Sequence, residues 1–218
     1  MKTIKFSLIL LAFMAFAQTT WAQSNSTEVP CLPGHGETED QSAWCGDVFQ
    51  TIALEAGTNW VSFNVEITLA DLQSALVDAL PGTTMAIKGK SYGTNYNGTR
   101  WRGQLNTLDI TSMYKITVTA NCEITVQGAP VDPAEHPITI SQGANWIAFP
   151  FASSMTVTNA FAGFALNGDN VKGKSRGTNY NGTNWRGQLT NLEPGKGYIY
   201  NSPSSETRVF TYPTAQNK

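Results

Sequence analysis

Short runs in which apolar and polar residues alternate recur along the chain, and they come in the same order twice. Thr51–Leu54 and Ile138–Ile140 each read as a strand that meets a glycine turn, and a second strand follows from Asn59 to Val65 or from Asn145 to Phe151. Alternation turns Val61, Phe63 and Val65 towards a core and leaves Trp60 on the other face, with Trp146 as its counterpart. The period then lengthens. Leu69, Leu72, Leu76 and Leu80 keep helical spacing behind Thr68 and Asp71, a capping-box-like start, and Pro81-Gly82 ends the helix. Only Val157, Phe161 and Phe164 answer them in the second copy, which predicts a shorter helix there. Tyr114–Thr119 with Glu123–Gln127, and Tyr198–Asn201 with Arg208–Tyr212, read as closing hairpins.

Between the helix and those closing strands, Lys88 to Leu105 recurs as Lys172 to Leu189 with 16 of 18 positions identical, the exceptions being Tyr92/Arg176 and Arg100/Asn184. The stretches between this block and the opening strands share little beyond apolar character, an unevenness that a recent duplication alone does not produce. Asn97-Gly98 and Asn181-Gly182 are strong hairpin signals, because both central residues of a type I′ turn need positive φ. Pairing outward from such a two-residue loop sets Tyr96 opposite Thr99, Asn95 opposite Arg100 and Thr94 opposite Trp101. One face then carries Tyr92, Thr94, Tyr96, Trp101 and Leu105, and is expected against the core. The other carries Ser91, Asn95, Arg100, Arg102 and Gln104, answered in copy 2 by Ser175, Asn179, Asn184, Arg186 and Gln188.

These elements predict a mainly β fold: two tandem small antiparallel β-sandwich or partly open barrel domains, each with one short helix, over residues 51–131 and 138–213. The opening Gly-x-Asn-Trp-(Val/Ile)-(Ser/Ala), the middle Trp-x-Gly-x-Leu and the closing Pro194-Gly195-Lys196-Gly197-Tyr198 resemble a β-rich repeat of secreted and surface proteins of bacteria. The resemblance covers about residues 51–213 and implies a fold without an activity, since that repeat has none established and often serves as one module among several. Copy 1 departs from the closing pattern with Asp109-Ile110-Thr111-Ser112-Met113 before Tyr114.

Upstream, Lys2 and Lys5, an apolar run from Phe6 to Phe16 and small residues ending at Ala22 have the three parts of a secretory signal peptide, residues 1–22, with cleavage expected after Ala22. The run is shorter than the roughly 20 residues of a membrane span, and no later stretch approaches that length. Export to the periplasm, the cell surface or the medium is therefore expected. Removing that segment, which carries two lysines and no acid, moves the formal charge from −2 to −4, so neither nucleic acid nor an anionic membrane is an expected partner. In residues 23–50, Cys31 and Cys45 bound a Gly/Pro-containing loop, and an oxidising compartment makes them the expected disulfide. Pairing of either with Cys122 stays open.

Several motifs suggest chemistry. Gly168 to Ser175 satisfies G-x-x-x-x-G-K-[ST] as a string, but a phosphate loop needs a helix after it and here a hairpin follows, so the match reads as chance. His35, Glu37, Glu39 and Asp40 follow no ordered metal-ligand spacing and read as a solvated acidic loop. Neither a nucleophile–base pair nor a duplicated carboxylate pair is apparent, so no enzyme, catalytic residue, metal or cofactor is expected. What the two copies duplicate is aromatic and planar polar chemistry: Trp60, Asn95, Arg102 and Gln104, then Trp146, Asn179, Arg186 and Gln188. Sugar rings offer apolar faces that stack on aromatic rings and hydroxyls that amides and guanidinium groups bind. The expected function is non-catalytic binding of a glycan or polysaccharide through two equivalent sites. The alternative is a structural or adhesive surface module whose partner is another protein.

Overall fold

The computed structural model describes residues 46–213. The signal segment, the acidic loop and the Cys31–Cys45 pair lie outside the described residues. Copy 1 contains β1 (Val48–Leu54), β2 (Gly57–Val61), α1 (Leu69–Ala79), β3 (Thr84–Lys88), β4 (Gly93–Asn97), β5 (Trp101–Gly103), β6 (Tyr114–Val118) and β7 (Cys122–Gly128). Copy 2 contains β8 (Ile138–Ile140), β9 (Gly143–Ile147), β10 (Met155–Thr156), α2 (Val157–Ala160), β11 (Asn170–Lys172), β12 (Gly177–Tyr180), β13 (Trp185–Gly187), β14 (Asn191–Leu192), β15 (Tyr198–Ser202) and β16 (Arg208–Phe210). The fold is mainly β and antiparallel throughout. Five strands order as β2-β6-β3-β4-β5 in copy 1 and as β9-β15-β11-β12-β13 in copy 2, the same topology twice, and neither sheet closes into a barrel. A two-stranded companion, β1 with β7 or β8 with β16, forms the second layer of each copy.

The closing hairpins expected from the sequence do not form. β6 enters the large sheet between β2 and β3, whereas β7 leaves it and pairs with β1 from Val48↔Gly128 to Leu54↔Cys122. Both companion strands alternate, and Ile52, Leu54, Ile124 and Val126 point into the core, so a tight hairpin would leave β1 unpartnered and one side of that core uncovered. The two corners where the chain changes layers are tied together, the Asn121 carboxamide accepting from the Ala56 N–H at 2.8 Å.

Helix α1 begins as its sequence requires. Thr68 Oγ1 accepts from the Asp71 N–H, and the Asp71 carboxylate accepts from the Thr68 N–H at 2.9 Å. Leu69, Leu72 and Leu76 are buried against the sheets. In copy 2 the helix shrinks to four residues, and aromatic rings fill the space: Phe161 packs on Trp185, Tyr200 and Phe210. A buried ion pair also lies here. Asp169, fully buried, accepts from Tyr200 and from Arg208 Nη2 at 3.0 Å, and Arg208 also donates to the Phe164 carbonyl.

The hairpin register differs from the expected one by two residues. Tyr96 pairs with Trp101, and Asn95 with Arg102, because Asn97 opens the turn instead of sitting within it. Its carboxamide oxygen accepts from the N–H groups of Thr99 and Arg100, and Gly98, with φ 94°, becomes the first central residue. Asn181 and Gly182 repeat this. A slip of two residues leaves every side chain on its face, so Tyr96 and Trp101 still turn to the core and Asn95 and Arg102 away from it.

Candidate functional site

Several residues of the repeated motifs have structural work that their local geometry explains. The Asn of the opening motif clamps the turn between the first two strands of each copy: Asn59 accepts from the Glu55 N–H and donates to the Glu55 and Gly57 carbonyls, and Asn145 does the same at Ser141 and Gly143. Gly103 lies so close to β4 that a Cβ there would stand 2.2 Å from the Gly93 oxygen, and the corresponding distance at Gly187 is 2.3 Å. Tyr114 and Tyr198 accept the N–H of Asp109 and Glu193 on their phenolic oxygens, which fixes the same turn in both copies although their sequences differ there. Burial raises both phenols, Tyr198 to about 12.

Three of the identical pairs have no such work. Asn95, Arg102 and Gln104 are exposed on the outer face of the first sheet, and Asn179, Arg186 and Gln188 on that of the second. Among the described residues their side chains make no hydrogen bond. Asn95 faces Arg102 across β4 and β5, and Asn179 faces Arg186 across β12 and β13, so each copy carries one short polar strip at the edge of its sheet. The tryptophans expected beside those strips are elsewhere. Trp60 lies on β2, at the opposite edge, three strands from Asn95, or about 14 Å at the usual strand spacing.

Trp60 and Trp146 instead share Lys115, on a seam between the copies. Lys115 Nζ sits 4.8 Å from the Trp60 ring centre and 4.7 Å from that of Trp146, a cation between two aromatic faces. The seam has a local two-fold character: the Ser62 N–H donates to the Gly195 carbonyl, and the Ala148 N–H, its equivalent, to that of Thr111. The hydroxyl of buried Ser62 adds two more bonds to copy 2, donating to the Lys196 carbonyl at 2.7 Å and accepting from the Phe149 N–H at 3.1 Å. Gly197 permits the contact, since a Cβ there would lie 2.4 Å from the Cβ of fully buried Met113.

Two clefts are lined by equivalent residues of the two copies, and the second of them lies at this seam. The first is lined by Lys90, Ser91, Tyr92, Gln104 and Asp109 above Tyr114. The second, about 330 Å³, is lined by Lys174, Ser175, Arg176, Glu193 and Lys196 above Tyr198, and Trp60 and Glu55 of copy 1 complete its wall. Lys174 pairs with Glu55 at 3.0 Å, and its hydrogen bond and charge lower the Glu55 carboxyl. The lysine, serine and acidic positions were not among the residues expected at a site. Their signal was the constant offset of 84 residues, which runs without a gap past the near-identical block to Tyr114 and Tyr198.

Lys174 belongs to the phosphate-loop string, and the structure shows why the string has no such geometry: β11 runs through its middle, Gly173 to Arg176 is a turn, and β12 follows where a helix is needed. Cys122, half-buried on β7, has no disulfide partner among the described residues, and burial pushes its thiol up, away from the thiolate form. Among the described residues no helix is long and apolar enough to cross a membrane, and no group of three metal-ligating side chains is assembled. No family model, characterised protein or solved structure matches this chain.

Proposed function

We propose that this protein is a non-catalytic extracellular binding module that holds carbohydrate through its two equivalent repeats. The observation that carries the reading is the division of the near-identical block. Its asparagine turns, close-packed glycines and buried aromatics explain part of the identity, but Asn95, Arg102, Gln104 and their counterparts are identical while exposed and without intramolecular partners. Planar amide and guanidinium groups in a shallow strip suit sugar hydroxyls, and the strip of copy 1 leads through Gln104 into a cleft with an exposed tyrosine, Tyr92. Two sites on one chain gain avidity on a polymer.

The test is a polysaccharide and glycan-array screen of the mature chain, followed by Arg102→Ala, Arg186→Ala and the double variant in affinity gels. Exposed substitutions of this kind change stability by less than about 0.5 kcal/mol. Each single variant is expected to weaken retention and the double variant to abolish it, all at an unchanged melting temperature. The competing reading is an adhesive or structural module, favoured by the outer edges of β5 and β13, which pair with no strand among the described residues. Absence of any glycan ligand, with the variants still binding a protein partner, would decide for it.

A further inference from the structure

The two clefts share a floor and differ at the rim. Lys90, Ser91, Leu105 and Tyr114 in the first are Lys174, Ser175, Leu189 and Tyr198 in the second, whereas Tyr92 becomes Arg176 and Ser112 becomes Lys196. Both replacements add a cation. In the first cleft Lys90 stands with Asp109, whose carboxylate is already engaged by the Thr111 N–H and by the hydroxyls of Thr111 and Ser112. In the second, Glu55 is paired with Lys174 and also feels the charge of Lys196, so three cations, Lys174, Arg176 and Lys196, face two lining carboxylates, Glu55 and Glu193. The side chains of Arg176 and Lys196 are exposed and make no ion pair among the described residues.

We infer that the cleft at the seam is specific for an acidic sugar, its carboxylate or sulfate ester held by Arg176 and Lys196 and its ring set against Trp60, while the cleft of copy 1 takes a neutral ring on Tyr92. The inference rests on the carbohydrate reading above. A guanidinium presents two parallel N–H donors that match the two oxygens of an anionic group, and a tryptophan wall supplies the apolar surface that a sugar face needs. At about 330 Å³ the cleft lies at the small end of ligand sites, which run from about 300 to 1,000 Å³, and suits one unit of a chain. Tyr92, 57 % exposed, offers a ring face with no added charge. A polymer alternating neutral and acidic units would engage both clefts at once.

Affinity gels of the mature chain test this with polygalacturonate against its methyl ester, and with a sulfated galactan against its desulfated form. The pairs separate a carboxylate from a sulfate source while keeping the sugar constant. The double substitution Arg176→Tyr with Lys196→Ser installs the copy 1 rim at two exposed positions and is checked for an unchanged melting temperature. Retention by one acidic polymer is expected to exceed that by its neutral form about tenfold at low salt, to fall steeply with salt, and to drop about tenfold in the double variant with neutral binding intact. Tyr92→Arg in the parent is expected to raise acidic retention. Equal retention of acidic and neutral forms, or a double variant that keeps its acidic preference, overturns the inference and leaves the carbohydrate reading standing. Retention of the parent by no polysaccharide overturns both.

Discussion

Ser62→Ala probes whether the two copies are held as one body by the seam. The hydroxyl is fully buried, donates to the Lys196 carbonyl at 2.7 Å and accepts from the Phe149 N–H at 3.1 Å. Alanine keeps the methylene but leaves both partners unmatched. Phe149 is itself fully buried, so its N–H finds no water, and an orphaned buried donor costs about 1–3 kcal/mol. The Lys196 carbonyl is only partly buried and regains hydration, which adds less. A total of about 2–3 kcal/mol follows, and at about 2–4 °C per kcal/mol for a chain of this size the melting temperature should fall by about 4–12 °C. Calorimetry of the mature protein measures it, with Thr58→Ala as control. Thr58 bonds Thr117 Oγ1 at an exposed position of β2, where loss changes stability by about 0.5 kcal/mol or less. A Ser62→Ala melting temperature within about 1 °C of the control would refute the reasoning, because no buried donor could then have been orphaned.

The close approach of β5 to β4 makes Gly103→Ala destabilising by about 1–3 kcal/mol, since backbone atoms of Gly93 and Thr94 must move, whereas Gly46→Ala, with open space around it, should be near neutral; chemical denaturation compares them, and equal midpoints would contradict the packing. Arg208→Ala strips buried Asp169 of its cation and should cost about 3–5 kcal/mol; a loss below about 1 kcal/mol in chemical denaturation would contradict a buried ion pair. Burial raises the phenols of Tyr114, Tyr198, Tyr200 and Tyr212, that of Tyr198 to about 12. A proton held more tightly in the fold than in the unfolded chain gives stability that is complete below pH about 10 and is lost as pH rises towards about 12. Phenolate absorbance should therefore show these four tyrosines lagging until the fold gives way, and their ionising near pH about 10 with native circular dichroism would exclude it.

Local patterns were legible where one segment carries its own explanation. The capping box at Thr68 and Asp71 spans four residues, and the faces of the β4–β5 hairpin follow from alternation alone, so they hold although the turn's register differs from the expected one. Asn97 is not a central turn residue, because its side chain closes the turn from outside. The candidate site was legible in part. The exposed Asn, Arg and Gln positions could be drawn from the hairpin pattern, but the tryptophans could not be placed with them, because strand order in a sheet is invisible along the chain.

The sequence by itself determined that the protein is built twice from the same short strands and one helix, and which side chains of each strand turn inward. Periodicity, capping and turn chemistry act over a few residues, and those are written in order along the chain. Only the tertiary structure decided that β6 and β7 part into different layers, that Trp60 and Trp146 close on Lys115, and that copy 1 supplies a wall to the cleft of copy 2. Those outcomes rest on pairs such as Ser62 and Phe149, 87 residues apart, whose hydrogen bond exists only once two separately patterned cores have been brought face to face.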